Sequence, residues 1–453
     1  MAEDEYPYVA GVDTSTQSCK VVIVDPATGT VVRQGRAAHP GGTEVDPEAW
    51  WSAFLTAVGQ AGGLADVHAL AVGGQQHGMV CLDAAGRVIR PALLWNDTRS
   101  GGAARDLIAE HDDAGGTAWW VDATGSAPVA SLTVTKLRWL AEHERDNAAR
   151  IAAVALPHDW LSWRISGSTD IRDLWTDRSE ASGTGYLARE GNKDPRRPEY
   201  RRDILASALY IRQSDAEKII LPRVAEPWEI CSHGDPARGW AHVALGPGAG
   251  DNAASALGMN LTPGEAMLSL GTSGVVAAVS AHSVMDPTGA VTGFADASGN
   301  WLPMATTLNA SRITDAMRNI LGVSYEEYSN LALSVPDAGG LTLLPYFEGE
   351  RTPNLPDATA SMSGMTLSNS DPAHVARAGV EGLLTLMAGA LAAVERVTGP
   401  IDRVSLLGGG AKLEAVRRLA PNMLHHRVEI APDGEYVALG AARQAERAWQ
   451  ARA

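Results

Sequence analysis

Gly246 to Gly274, GPGAGDNAASALGMNLTPGEAMLSLGTSG, is the stretch from which the fold of this chain is read. A glycine-rich approach delivers a carboxylate, Asp251, to a helix start. A strand over Glu265 to Leu270 follows, and it ends in the small polar turn Gly271-Thr272-Ser273-Gly274. The first device supplies a candidate general base; the second supplies a turn whose backbone N–H groups and hydroxyls can hold phosphate oxygens. Together they point to phosphoryl transfer.

Upstream, the chain opens with the same plan. A short apolar strand, Tyr8 to Val12, ends on Asp13 and is followed by the polar turn Thr14-Ser15-Thr16-Gln17-Ser18. Strands over Lys20 to Asp25 and Thr30 to Ala37 continue it as a meander, and Asp46-Pro47-Glu48 starts a helix through about Gly59. Strand Ala69 to Val72 runs into Gly73-Gly74-Gln75-Gln76-His77-Gly78, with a return strand expected over Met79 to Leu82. Leu94-Trp95-Asn96-Asp97-Thr98-Arg99 forms a polar cluster, and Gly101-Gly102 reads as a breaker before a helix near Ala104 to His111. The charged, proline-interrupted segment Arg189 to Arg202 reads as an exposed loop. Downstream of the central stretch come a helix from Pro372 to Thr398, a strand Arg403 to Leu407, the turn Gly408-Gly409-Gly410-Ala411, a helix to about Asn422, and a closing helix Val437 to Trp449. Two similar halves, each presenting a polar turn, suit a grip on one polyphosphate.

Composition narrows the classes. At 453 residues two or three domains are expected. A net charge of −16 argues against wrapping nucleic acid or lying on an anionic membrane. The cysteines, Cys19, Cys81 and Cys231, are odd in number and scattered, which fits a reducing compartment without disulfides. The acidic start MAEDEYPYVAG has no signal-peptide character, and no apolar run reads as long enough to cross a bilayer, so a cytoplasmic protein is expected. P-loop, HExxH and GxSxG patterns and a Cys/His zinc cluster are absent from the sequence.

Individual residues admit plain structural readings beside functional ones. Asp13 can simply cap its turn, or hold Mg2+ while Thr16 and Ser18 hydroxyls and Lys20 meet phosphate. Asp251 can be an N-cap, or a base kept ionised by the helix dipole unless burial raises its pKa. Gln76 and His77 suit hydrogen bonds to sugar hydroxyls, or satisfy their own turn. Trp95 can lie against the C–H face of a sugar or be core. The turn Gly408 to Ala411 lets a flat base approach the backbone.

The ordered blocks GVDTSTQSCK, GGQQHG, LLWNDTR, PHDWL, GAGDNAASALG, LSLGTSG, LPYFEGERTP and LLGGGA, spanning Tyr8 to Ala445, resemble the FGGY carbohydrate kinases, most closely their xylulose kinase branch. The resemblance implies an α/β, two-lobed actin-like ATPase (ribonuclease H-like) fold with the active site in the interdomain cleft. The lobes are expected at 1–244, on the sugar side, and 245–453, on the nucleotide side. It implies Asp251 as general base; Gln76, His77, Asp251 and Asn252 toward the sugar, beside which Trp95 stays a candidate on its own aromatic face; Thr16, Gln17, Gly271, Thr272, Gly409, Gly410 and Ala411 toward ATP; and Asp13 toward Mg2+. The implied partners are a small sugar and ATP, without nucleic acid or membrane, with a homodimer left open. The sequence departs from the family pattern at Ser15, where glycine is common, at Gln76, where methionine is, and at Glu414, where some relatives carry an amide. The implied reaction is ATP-dependent phosphorylation of D-xylulose at its 5-hydroxyl; another ketose or polyol is the alternative within the family, and an actin-like nucleotide-binding protein the alternative outside it.

Overall fold

A computed structural model gives the fold, and it describes residues 6–189, 199–355 and 357–452. The residues before Tyr6 and most of the stretch 189–202, read above as a plain N-terminus and an exposed loop, lie outside the described residues. The chain divides into two compact units, Met1–Leu261 with Gly293–Trp301 and Glu435–Ala453, and Thr262–Thr292 with Leu302–Gly434. The change of unit therefore falls at Leu261 instead of residue 244, and the closing helix groups with the first unit.

In the first unit, β1 (Tyr8–Thr14), β2 (Ser18–Asp25) and β3 (Thr30–Ala38) form an antiparallel meander. Helix α1 (Pro47–Gln60) starts as its sequence requires, with Asp46 accepting from the Glu48 N–H and proline in the first turn, and it buries Trp50, Phe54 and Ala57. Strand β4 (Val67–Gly74) pairs parallel with β1 and is buried along its whole length. The chain continues through α2 (Pro157–Ser166), the single turn α3 (Arg178–Ala181), β5 (Ala244–Leu245), parallel to β4, and α4 (Asp251–Gly258).

The second unit repeats the plan. Strands β6 (Glu265–Leu270), β7 (Gly274–Ala278) and β8 (Met304–Thr307) form a meander; β9 (Arg403–Leu407) pairs parallel with β6, and β10 (Arg427–Ile430) parallel with β9. The paths β3-β2-β1-β4-β5 and β8-β7-β6-β9-β10 are the same order twice. The central helix α5 (Pro372–Thr398) is capped by Asp371 and buries Leu383, Leu384, Met387 and Leu391 in this unit's core. Among the described residues it is one helix long and apolar enough to cross a membrane, which corrects the expectation that no stretch reaches that length. With 67% of its apolar window buried, it is the core helix of its unit. Helix α6 (Glu414–Leu424) follows β9, and the chain ends in α7 (Tyr436–Ala451).

Helix α7 packs on β1, β4 and α4 of the first unit. Close approach makes this possible: a Cβ at Gly11 would lie 1.8 Å from the Ala438 carbonyl oxygen, and one at Gly440 1.8 Å from that of Ala254. A helical period shows that α7 buries a face, but not which sheet receives it.

Two local expectations fail for physical reasons. Val80–Leu82 pairs antiparallel with Ala153–Ala155 and does not return along β4, whose two flanks are already taken by β1 and β5. Gly101 and Gly102 do not break the helix but begin it, over Gly101–Ala109, where the first N–H groups need no intrahelical partner. The cysteines are all free, and burial pushes the Cys81 and Cys231 thiols up to about 12, so they are unreactive packing groups.

Candidate active site

Parallel pairing brings three strand ends together. Asp13 and Thr14 at the end of β1 sit opposite Gly73 and Gly74 of β4, and the short strand Ala249–Gly250 pairs with those same glycines. The chain leaves these ends as the turn after Thr14, the loop Gln75 to Gly78, and α4. Ligands of open α/β sheets gather at such carboxyl ends.

Asp251 is the first residue of α4, and Gly250, not Asp251, is the N-cap. Its Oδ1 accepts from the Asn252 N–H at 2.8 Å and from Asn252 Nδ2 at 3.0 Å. Asn252 Nδ2 also donates to Gln76 Oε1 at 2.9 Å, tying α4 to the loop after β4. Burial pushes the Asp251 carboxyl up to about 7, the charge of Asp13 adds to the rise, and the Asn252 N–H opposes it. The helix dipole is outweighed by burial, and the group titrates where a general base works best.

Asp13 is buried, accepts from the Ser15 N–H at 3.0 Å, and has Lys20 Nζ at 3.4 Å. Burial holds its carboxyl above the usual range against the pull of Lys20 and Ser15. Lys20 also pairs with Glu435 at 2.6 Å. The turn is made without a left-handed residue at Ser15: positive φ among described non-glycine residues falls at His77, Tyr210, Asn260 and His425. Thr16 is half-buried and Gln17 exposed. Trp95 is brought to this turn, and not to Gln76, His77, Asp251 or Asn252, by its indole N–H donating to Thr16 Oγ1 at 2.8 Å. No three His, Cys, Asp or Glu side chains converge as a metal cage among the described residues. A single buried carboxylate fits Mg2+, which usually takes one or two carboxylates and completes its shell with phosphate and water.

His77 has φ 65°, a conformation that costs a non-glycine residue roughly 1–3 kcal/mol and persists only where neighbours over-determine it. Those neighbours are Thr133, whose hydroxyl donates to the His77 carbonyl at 3.2 Å, Phe294, with ring centroids 5.2 Å apart, and Glu180, whose Oε2 accepts from the His77 N–H at 3.3 Å. Thr133, Ser179 and Glu180 went unremarked in the sequence, since nothing in the segment between the motifs shows which strand end it will lie under.

In the second unit, Gly271 and Thr272 form the turn between β6 and β7, their carbonyls accepting from Ser311 and Ala310 at 2.9 and 3.1 Å. Ser269 lies opposite Leu407, so the turn beginning at Gly408 leaves the sheet beside it. Gly409 and Gly410 line a pocket of about 710 Å³ with Tyr325, Asn330, Leu413 and Glu414, while Ala411 is buried behind it. Nothing lies within 4 Å of the Cβ position of Gly409, leaving its backbone open to a ligand.

Residues 8–258 match the model of the FGGY family of carbohydrate kinases, N-terminal domain, and residues 266–449 that of the C-terminal domain. The chain is 43% identical to the xylulose kinase of Streptomyces coelicolor over 98% of its own length and 89% of the relative's. To the xylulose kinase of Escherichia coli it is 34% identical, over 96% of this chain and 89% of the other. The crystal structure of xylulose kinase from Bifidobacterium adolescentis superposes with a TM-score of 0.93 at 50% identity, covering 98% of this chain and 93% of that one. The doubled sheet is that of the actin-like ATPases, and the chain belongs to the FGGY family of carbohydrate kinases.

Proposed function

We propose that the protein transfers the γ-phosphoryl group of ATP to the 5-hydroxyl of D-xylulose. The observation that carries this reading is the chain of hydrogen bonds Gln76–Asn252–Asp251, which sets a carboxylate of near-neutral pKa beside amides able to read hydroxyls. The names of the similar kinases supply the sugar.

Asp251 is the catalytic residue: its carboxylate accepts the hydroxyl proton as that oxygen attacks phosphorus. Asn252 orients it and, with Gln76 and His77, binds the sugar hydroxyls. Thr16, Gln17, Gly271 and Thr272 hold phosphate oxygens, Gly409, Gly410 and Ala411 the nucleoside, and Trp95 braces Thr16 while its exposed face meets the sugar. Asp13 would hold Mg2+, which supplies charge neutralisation for the transferring group. The proposal sets the sugar on the first unit, which holds Gln76, His77, Asp251 and Asn252, and the nucleoside on the second, which holds Gly409, Gly410 and Ala411.

The test is ADP release with Mg-ATP against D-xylulose, L-xylulose, D-ribulose, L-ribulose, D-fructose, glycerol and D-arabitol. The expected result is a kcat/KM for D-xylulose at least tenfold above every other acceptor. A better acceptor elsewhere in the panel would move the substrate, and Gln76, with its Oε1 already engaged by Asn252, would be the first residue to vary. Silence on all of them, with ATP bound, would overturn the sugar reading.

A further inference from the structure

Beneath the sugar-side residues lies an element that the reaction as described does not use. The single turn α3 touches both segments that present them. From Glu180, Oε2 accepts the His77 N–H at 3.3 Å; from the neighbouring Ser179, Oγ accepts the Gly250 N–H at 3.0 Å, one residue before Asp251. Just past the turn, Gly183 leaves room for the His77 ring, since a Cβ there would lie 2.2 Å from His77 Cε1. The turn is itself anchored: Asp177 accepts from the N–H groups of Ser179 at 2.7 Å and Glu180 at 3.1 Å, and His158 Nε2 lies 3.3 Å from Asp177.

Glu180 has a second distinctive feature. It is fully buried, and its Oε1 has no hydrogen-bond partner among the described residues. That oxygen lies 2.6 Å from the position a Cβ on Gly250 would take, with Gln76 Nε2 2.7 Å from the same point. Burial, with the charges of Asp177, Asp159 and Asp251, holds the Glu180 carboxyl well above the usual range, against the pull of the His77 N–H. A buried side chain kept for packing alone would be apolar, because a carboxyl in such a place costs free energy unless it bonds. Here it bonds the backbone of the one strained residue in the loop.

We propose that α3 is a clamp that fixes the two sugar-side segments, with Glu180 the positioning residue for His77 and Ser179 the positioning residue for the approach to Asp251. The proposal rests on the sugar-kinase reading above. Neither side chain touches the substrate; each acts through a backbone N–H. The two arms have different consequences. Loss of the Glu180 acceptor releases His77 from its left-handed conformation and weakens sugar binding. Loss of the Ser179 acceptor loosens the start of α4 and misplaces the base, which slows the chemical step.

The experiment measures kcat, the KM for D-xylulose and ATP hydrolysis without sugar in the parent, Glu180→Ala, Glu180→Gln, Ser179→Ala and Gly183→Ala. In Glu180→Ala the sugar KM is expected to rise about tenfold or more, the weight of one buried hydrogen bond, with sugar-free hydrolysis unchanged. Glu180→Gln, which keeps an oxygen acceptor in the same place, is expected to stay within about threefold of the parent on the same scale. Gly183→Ala should raise the KM as Glu180→Ala does, by displacing the His77 ring, and Ser179→Ala should lower kcat about tenfold with KM little changed. Equal KM values in the parent, Glu180→Ala and Gly183→Ala would overturn the clamp, as would a Glu180→Gln variant no better than Glu180→Ala. If Glu180→Ala does not fold, the Ser179→Ala split and the Glu180→Gln rescue decide it. A parent inactive on every sugar in the panel would instead overturn the reading on which the clamp rests.

Discussion

A carboxyl pushed up to about 7 has two consequences, one for rate and one for stability. As the proposed base, Asp251 would accept a proton only when ionised, so kcat/KM for the sugar should fall as pH drops through about 7, a limb that a pH–rate profile would show. Asp251→Ala should lower kcat by about 10²–10⁴-fold with a smaller effect on KM. The stability effect has the opposite direction from that of a salt-bridged aspartate. Between the unfolded value near 3.9 and the folded value near 7 the native state holds the extra proton, so stability declines as pH rises through that window. Asp251→Asn keeps the acceptor for Asn252 and removes the charge, so its melting temperature should exceed the parent's at pH 8 and converge with it near pH 4. Melting curves at the two pH values check this. Asp251 was legible because a glycine-rich approach and a helix start surround it in the sequence. Glu180 was not, because its partner His77 lies 103 residues away and only folding brings them together.

Among the elements, strands and turns were the most readable. Alternating or continuous apolar runs ended by small polar residues marked β1, β2, β4, β6 and β9, and the Asp-Pro start of α1 marked that helix. Pairing was less readable, since it depends on which sheet edges are still open, as the strand Val80–Leu82 illustrates. Packing partners of helices were less readable still. The contact of α4 with α7 supplies a test. Gly440→Ala would place a Cβ 1.8 Å from the Ala254 carbonyl oxygen, a backbone atom that cannot turn aside. Overpacking of this kind costs about 1–3 kcal/mol, so the melting temperature should fall by several degrees, and kcat should fall with it because α4 begins at Asp251. Gly409→Ala meets nothing within 4 Å; it should leave the melting temperature unchanged and raise the KM for ATP.

Across the whole molecule, the residues proposed for the sugar and those proposed for the nucleotide fall in separately packed units, apart from Thr16 and Gln17. Hydrogen exchange should therefore respond in a divided way. D-Xylulose alone should slow exchange around residues 76–78 and 250–252, and ADP alone around 271–273 and 408–411; protection of only one set by both ligands would contradict the assignment. The doubled strand plan was visible from the sequence, as the two meanders with their polar turns. The allegiance of α7 was not, because a chain that leaves a unit and comes back carries no local mark of the return. That return also bears on the order in which the protein can be made. Strand β1 leaves the ribosome long before the helix that covers it, through Gly11 and Ala438. At about 5–20 residues per second, β1 and β4 wait on the order of tens of seconds for their cover, with their apolar side chains exposed. The first unit to be synthesised is thus the second that can be completed, and the nascent chain should depend on chaperones until α7 has been made.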